Sequence, residues 1–219
     1  VLAGCDGALS TVDPAGPAAR TIAELWWVML IGAALIFGLV MVLIALAFRP
    51  ARPTAHEAGA AAEARHERRW IIGLGLAFPI TVLLALLGYG IAVGEHLLPR
   101  PNPDVVRVSA EARRMAWRFG YADAPGRTTD NILHIPAGRP VDVAITTADV
   151  IHSFWVPRLA GKRDAIPGHV NVLRIEADRP GAFAGVSAEF SGPGYDRFTF
   201  TVVAHDAAGW TAFLTDDGR

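Results

Sequence analysis

The chain has 219 residues, 52% of them apolar and 19% charged, with a mean hydropathy of +0.33. That composition excludes a disordered or collagen-like chain and argues against a simple cytosolic domain, where about 25% charge is usual. The 20 basic and 21 acidic residues leave a net charge of −1, which argues against nucleic-acid binding, since that needs a basic face.

Taken in chain order, the first feature is Val1-Leu2-Ala3-Gly4-Cys5. Leu-Ala-Gly-Cys resembles a bacterial lipobox, whose cysteine is lipidated and becomes the new N-terminus. The other reading of Cys5 is an incidental cysteine in a run of small residues. No initiator Met or charged n-region precedes it, so the sequence is expected to be a fragment of a longer precursor. As the only cysteine, Cys5 can build neither an internal disulfide framework nor a thiolate zinc site.

Two uncharged runs follow, 24 residues from Leu25 to Phe48 and 25 residues from Trp70 to Gly94. A spanning helix needs roughly 20 predominantly apolar residues, so both predict membrane spans. Trp26, Trp27 and Trp70 sit at the starts of the runs, where indole rings favour the headgroup level. Pro79 lies inside the second run, removes a backbone donor and predicts a kink. Arg49, Arg52, Arg65, Arg68 and Arg69 lie between the runs, and Arg20 alone precedes them. By the positive-inside rule that loop is cytoplasmic, both termini are outside, and the residues after Gly94 face the periplasm of a bacterium. Glu24, at the outer edge of the first span, reads as a flanking charge.

Beyond a stiff Pro99-Arg100-Pro101-Asn102-Pro103 linker the pattern becomes one of short β-like runs between turn signals. These are residues 105–108, 115–121, 132–135, 141–145, 170–175 and 198–203, with a short terminal helix at 207–214. Such spacing predicts a β-sandwich or barrel. The predicted organisation is therefore an N-terminal segment 1–24, a two-helix transmembrane hairpin 25–94 and an outer all-β domain 95–219, an α+β membrane protein.

Three segments of the outer domain carry a resemblance. They are Asp130-Asn131-Ile132-Leu133-His134-Ile135-Pro136, Asp149-Val150-Ile151-His152-Ser153-Phe154-Trp155-Val156-Pro157 and Lys162-Arg163-Asp164-Ala165-Ile166-Pro167-Gly168. With Arg179-Pro180-Gly181 and the two apolar runs, they resemble, in order, subunit II of the haem-copper terminal oxidases. The resemblance implies a cupredoxin-like sandwich. It also implies a place for the dinuclear copper centre CuA in members that oxidise cytochrome c, with ligands from an early His and a late Cys-x-Glu-x-Cys-x3-His-x2-Met.

Here the late segment keeps the spacing and loses the donors: Ser187 and Ser191 stand at the cysteine positions, Tyr195 at the histidine and Phe198 at the methionine. His152 and Glu189 remain. Copper of this kind needs soft thiolate and imidazole ligands, and serine hydroxyls are hard and weak. No CuA is expected, nor a blue-copper site. A His-only site from His134, His152, His169 and His205 is the alternative to four ordinary histidines, since ligand sets need convergent geometry.

This pattern of loss resembles the quinol-oxidising branch, as does the run Ser191-Gly192-Pro193-Gly194-Tyr195. The resemblance implies a non-redox subunit II in a proton-pumping oxidase that reduces O2 to water. The haems and CuB would lie in subunit I, which also receives electrons from quinol. Subunits I, III and IV and membrane lipid are the implied partners. Met115 stands where cytochrome c oxidisers carry an electron-entry tryptophan, and Trp117 reads as sandwich core. Glu189 is a candidate ligand for an interfacial Mg2+, with an interface salt bridge as the other reading. Glu67, three residues before Trp70, matches a family glutamate at the mouth of a proton path and reads equally as a membrane-flanking charge. The alternatives for the whole chain are a cytochrome c oxidase subunit that lost CuA and takes electrons from a partner carrier, and a membrane-anchored assembly module outside any oxidase.

Overall fold

The structure, a computed structural model, describes residues 7–49 and 60–215, with side chains excepted at 60–63. Cys5 lies outside the described residues.

The chain separates into two compact units, one of residues 25–96 and one that joins 1–24 to 97–219. The first is helical. Helix α1 spans Pro17–Ala47 and α2 spans Ala60–Trp70; a π-helical stretch Ile71–Ala77 leads into α3, Phe78–His96. Pro17 at the start of α1 fits a first turn, where a missing N–H costs nothing. The π-helical stretch ends at Ala77, two residues before Pro79, and the Phe78 N–H closes a wide turn onto the Gly73 carbonyl. A proline ring collides with the carbonyl four residues back in a regular α-helix. Widening the preceding turns is one way to relieve that clash, and this chain takes it where the sequence predicts a kink. The Thr81 hydroxyl donates to the Ala77 carbonyl at 2.8 Å.

Both helical stretches, Pro17–Ala47 and Ala64–His96, are long and apolar enough to cross a membrane, and the chain itself buries none of their most apolar windows. Val28, Gly32, Ala33 and Ile36 of α1 and Val82, Ala85, Leu86 and Tyr89 of α3 line one apolar cleft of about 530 Å³.

The second unit is a β-sandwich. Its strands are β1 (Val106–Arg113), β2 (Ala116–Tyr121), β3 (Thr128–Asp130), β4 (Ile132–Pro136), β5 (Val141–Thr147), β6 (His152–Trp155), β7 (Arg163–Ala165), β8 (Asn171–Ile175), β9 (Gly181–Ser187) and β10 (Thr199–His205). One sheet runs β3-β2-β1-β5-β8 and the other β4-β10-β9-β6-β7. Helix α4, Ala207–Thr215, closes the chain. Strict alternation in β1, β5 and β10 places every second side chain inside. The resulting core is strongly aromatic: Trp117 packs against Phe119, Phe154, Phe198 and Phe200, with ring centroids 5.5–6.3 Å apart.

Asn131 carries the chain from β3 in one sheet to β4 in the other. It sits at φ 57°, a left-handed conformation that asparagine tolerates, and its Oδ1 accepts the Trp117 N–H at 2.8 Å. That is the physical content of the Asp130-Asn131 motif: a corner residue that also satisfies the backbone beneath the largest core side chain.

The sequence sets residues 1–24 apart as an N-terminal segment. From residue 7 to 24 it belongs to the sandwich unit. The Ala15 N–H donates to the Arg158 carbonyl at 2.7 Å, and the Ala15 carbonyl accepts from Asp178 N–H at 2.9 Å. Ala15, Ala19 and Ala23 are buried. Gly16 lies so close to the Glu176 carbonyl that a Cβ there would collide with it. Small residues at 15, 16, 19 and 23 let the segment lie flat on the domain.

Candidate functional site

The residues singled out by their spacing gather at one end of the second sheet. Strand β6 begins with His152, and β9 ends with Ser187. The two strands pair with Phe154 opposite Ser187. The loop 188–198 follows β9 and turns back through a 3-10 turn, Tyr195–Arg197, entered at Gly194 with φ 90°. A backbone hydrogen bond of 2.9 Å from Ser187 N–H to the Phe198 carbonyl ties the two ends of the loop together. Met115, at the tip of the β1–β2 hairpin with φ 61°, lies beside Gly194.

His152 is fully buried. Its Nε2 is 2.9 Å from Asp149 Oδ1. Burial works against the Asp149 charge, but hydrogen bonds from His152, the Val150 N–H, Thr147 and the Arg114 N–H outweigh it and hold the carboxyl down at about 2. An ionised carboxylate only accepts, so Nε2 is the donor of this hydrogen bond. Nδ1 has no hydrogen-bond partner among the described residues. The Phe198 ring stands edge-on to the imidazole, with centroids 5.3 Å apart at 89°.

The hydroxyl of Ser187 is engaged: it accepts the Ser153 N–H at 3.2 Å. Ser191 Oγ and Ser153 Oγ are buried without a partner among the described residues. The Tyr195 ring packs edge-on against Phe190, with centroids 5.3 Å apart, and Phe190 itself is 72% exposed.

Glu189 lies at the margin of this region. Its Oε2 is 3.4 Å from Lys162 Nζ, and Lys162 is also 3.6 Å from Asp164. All three side chains are more than a third exposed, so the pairs add little stability. The motif lysine and aspartate thus meet the loop glutamate in space, a proximity that sequence separation hides.

Of the four candidate histidines, only His134 and His205 come together, with Nδ1 and Nε2 2.8 Å apart. They lie on the parallel pair β4–β10, and Phe213 of α4 stacks on both rings. Burial, the neighbouring His205 and Arg127 push the His134 pKa down to about 4. His152 and His169 take no part in that pair. No group of three or more His, Cys, Asp or Glu side chains converges among the described residues. Glu67, in the helical unit, is exposed on α2.

Residues 110–204 match the family model described as "Cytochrome C oxidase subunit II, periplasmic domain". The match lies within the sandwich unit. Over 225 residues the chain is 29% identical to the cytochrome c oxidase subunit 2 of Alkalihalophilus pseudofirmus, covering 97% of this chain and 64% of that protein. Over 209 residues it is 27% identical to the quinol oxidase subunit 2 of Bacillus cereus, covering 93% of this chain and 71% of that one. The chain therefore spans about two thirds of the length of these relatives. The crystal structure of the periplasmic domain of subunit II of a Bradyrhizobium japonicum cytochrome oxidase is similar at a TM-score of 0.49 and 21% identity, covering 54% of this chain and 96% of that one.

The outer domain of this chain does not fit a dinuclear copper centre. Bridging two coppers takes thiolates, and the positions hold serines, one of which already accepts a backbone N–H. Phe198, where the resemblance puts a sulfur ligand, packs a ring against His152 instead. What survives is the outer support of a ligand. The Asp149–His152 pair is the carboxylate–histidine arrangement that orients metal-binding imidazoles, and here it orients Nδ1 toward no other donor set. Glu189 with one neighbouring ammonium is no closed Mg2+ site in this chain. Mg2+ takes one or two carboxylates plus waters, and here Glu189 brings one carboxylate with the Lys162 ammonium beside it.

Proposed function

We propose that this chain is the non-redox subunit II of a haem-copper quinol oxidase. That complex reduces O2 to water and pumps protons in the aerobic respiratory chain. One observation carries the reading: the place of the copper ligands is filled by the Phe198 ring and by a Ser187 hydroxyl committed to backbone. A domain so filled has no electron carrier, and a membrane quinol that delivers electrons directly to subunit I makes one unnecessary. The quinol oxidase name of the Bacillus cereus relative supports this.

In this reading subunit I holds the haems and CuB. The sandwich supplies a rigid cap and an assembly surface, with subunits III and IV and membrane lipid as further partners. The chain sits in the bacterial cytoplasmic membrane, crosses it twice and holds its C-terminal domain in the periplasm. Glu189 either shares an Mg2+ with oxygens of subunit I or stays paired with Lys162; metal analysis of the purified complex with and without Glu189→Gln separates the two. Glu67 flanks the membrane or opens a proton path in subunit I, and Glu67→Gln reads out as the ratio of protons pumped to O2 consumed. Intact-mass measurement of the N-terminus decides whether Cys5 is lipidated.

The A. pseudofirmus relative bears the cytochrome c oxidase name and favours the second reading, a complex that lost CuA and takes electrons from a partner carrier. The experiment that tests the proposal is oxygen uptake by the detergent-purified complex. One run uses a reduced ubiquinol analogue and another uses reduced cytochrome c. Uptake with quinol alone is expected. Uptake with cytochrome c alone overturns the proposal in favour of the second reading.

A further inference from the structure

The arginines that precede the second long apolar helix gather on one face of it. Arg65, Arg68 and Arg69 on α2, with Ile72 and Gly73 of the π-helical stretch, line a concave surface of about 450 Å³. Their spacing is i, i+3, i+4, i+7 and i+8, which puts them on one helix face. At about 100° per residue, Glu67 falls on the opposite side, away from the guanidinium groups. Arg68 and Arg69 pair with no carboxylate among the described residues. Trp70 lies off this face and donates its indole N–H to His66 Nε2 at 2.9 Å, which fixes an interfacial ring one turn from the arginines.

Along the helix the lining changes abruptly. Three guanidinium groups give way within one turn to Ile72 and then to the uncharged run 70–94. Gly73 and Gly75 leave open space around the helix, since a Cβ at either would meet nothing within 4 Å. The π-helical widening that accommodates Pro79 falls in the same stretch. A ligand that fits must carry an anion at one end and an apolar chain at the other, in the same order as the helix.

We propose that Arg65, Arg68 and Arg69 bind the headgroup phosphate of an anionic phospholipid, with its acyl chain lying along Ile72 and Gly73. Guanidinium forks match phosphate oxygens two at a time, which diffuse surface charge does not. The inference rests on the helices lying in a membrane. It is independent of the electron donor, so the oxygen-uptake experiment and the lipid experiment fail separately.

The test uses the full chain, purified in its complex and held in detergent micelles doped with spin-labelled phosphatidylglycerol or spin-labelled phosphatidylcholine of the same chain length. The expected result is a motionally restricted population of phosphatidylglycerol in excess of phosphatidylcholine. Each lost arginine costs about fivefold, so R68Q/R69Q cuts the preference by roughly an order of magnitude or more. The control R49Q removes an exposed charge at the far end of α1 and leaves the preference in place. Equal retention of the two lipids overturns the proposal. So does an R49Q loss as large as that of R68Q/R69Q, which means diffuse attraction, or displacement of the label by excess inorganic phosphate, which means an anion site indifferent to lipid.

Discussion

In the outer domain Trp117, Phe119, Leu133, Ile135 and Phe154 are wholly buried, whereas the chain buries nothing of the apolar windows of its two long helices. Leu35 is 70% exposed and Phe37 67%, in segments as apolar as any core strand. The sandwich completes its own core; the helices present apolar surface that the chain itself does not cover. Stability measured on this chain should therefore respond to changes in one region and ignore equivalent changes in the other.

The largest expected effect is Trp117→Ala. The ring touches four other aromatic side chains, and removing it leaves a cavity between both sheets. A loss of about 3–5 kcal/mol is expected in urea unfolding of the outer domain followed by near-ultraviolet circular dichroism. Leu35→Ala in the same chain should shift the midpoint by less than about 0.5 kcal/mol. A comparable cost for both would mean that the helices are buried by the chain after all.

A smaller effect tests the N-terminal segment, which sequence reading sets apart and the structure joins to the sandwich. Gly16→Val forces a side chain against the Glu176 carbonyl. The expected cost is about 1–3 kcal/mol, with faster proteolysis ahead of residue 17. Unchanged proteolysis would show that the segment is held by something other than its fit to 158–178.

The same contrast explains what the sequence made legible. The two long apolar helices were readable by length alone, since a run of about 20 uncharged apolar residues has few other folded forms. Strands β1, β5 and β10 were readable because alternation marks a half-buried sheet. Strand β9, Gly181–Ser187, was not: it reads Gly-Ala-Phe-Ala-Gly-Val-Ser, poor in β-branched residues. Its small residues make room, since a Cβ at Gly185 would collide with the Phe200 ring. Strand β6, His152–Trp155, is buried at three of four positions and shows no alternation. The site was legible as a set of positions, because the loop spacing survived the loss of the ligands. The Lys162–Glu189 pairing and the stacked His134–His205–Phe213 cluster were not, because each joins segments far apart in sequence and only the sandwich brings them together.

Two carboxyl and imidazole groups of the outer domain make its stability pH-dependent, with separate windows. His134 has its pKa lowered to about 4 from an ordinary 6.5, so the unfolded chain takes up this proton first. Its contribution is complete above about 6.5 and is lost as pH falls toward 4. Asp149 is held at about 2 against an ordinary 3.8, so its contribution is complete above about 4 and is lost toward 2. Thermal melts of the outer domain should fall in two steps on acidification. His134→Gln should erase the upper step and Asp149→Asn the lower. A single step that survives both changes would place the acid sensitivity elsewhere.

The smallest expected effect concerns the emptied ligand loop. Ser191 Oγ is buried without a partner among the described residues, so its hydroxyl has lost water and gained nothing. Removing an unsatisfied polar atom is neutral or stabilising, whereas removing a satisfied one leaves its partner stranded. Ser191→Ala should therefore leave the unfolding midpoint unchanged or raise it by up to about 1 kcal/mol. Ser187→Ala strands the Ser153 N–H and should cost about 1–3 kcal/mol. The pair separates two serines, one engaged by the backbone and one left idle. If Ser191→Ala instead weakens retention of the chain in the purified complex, its hydroxyl has a partner there, and the loop 188–198 is part of the contact between subunits.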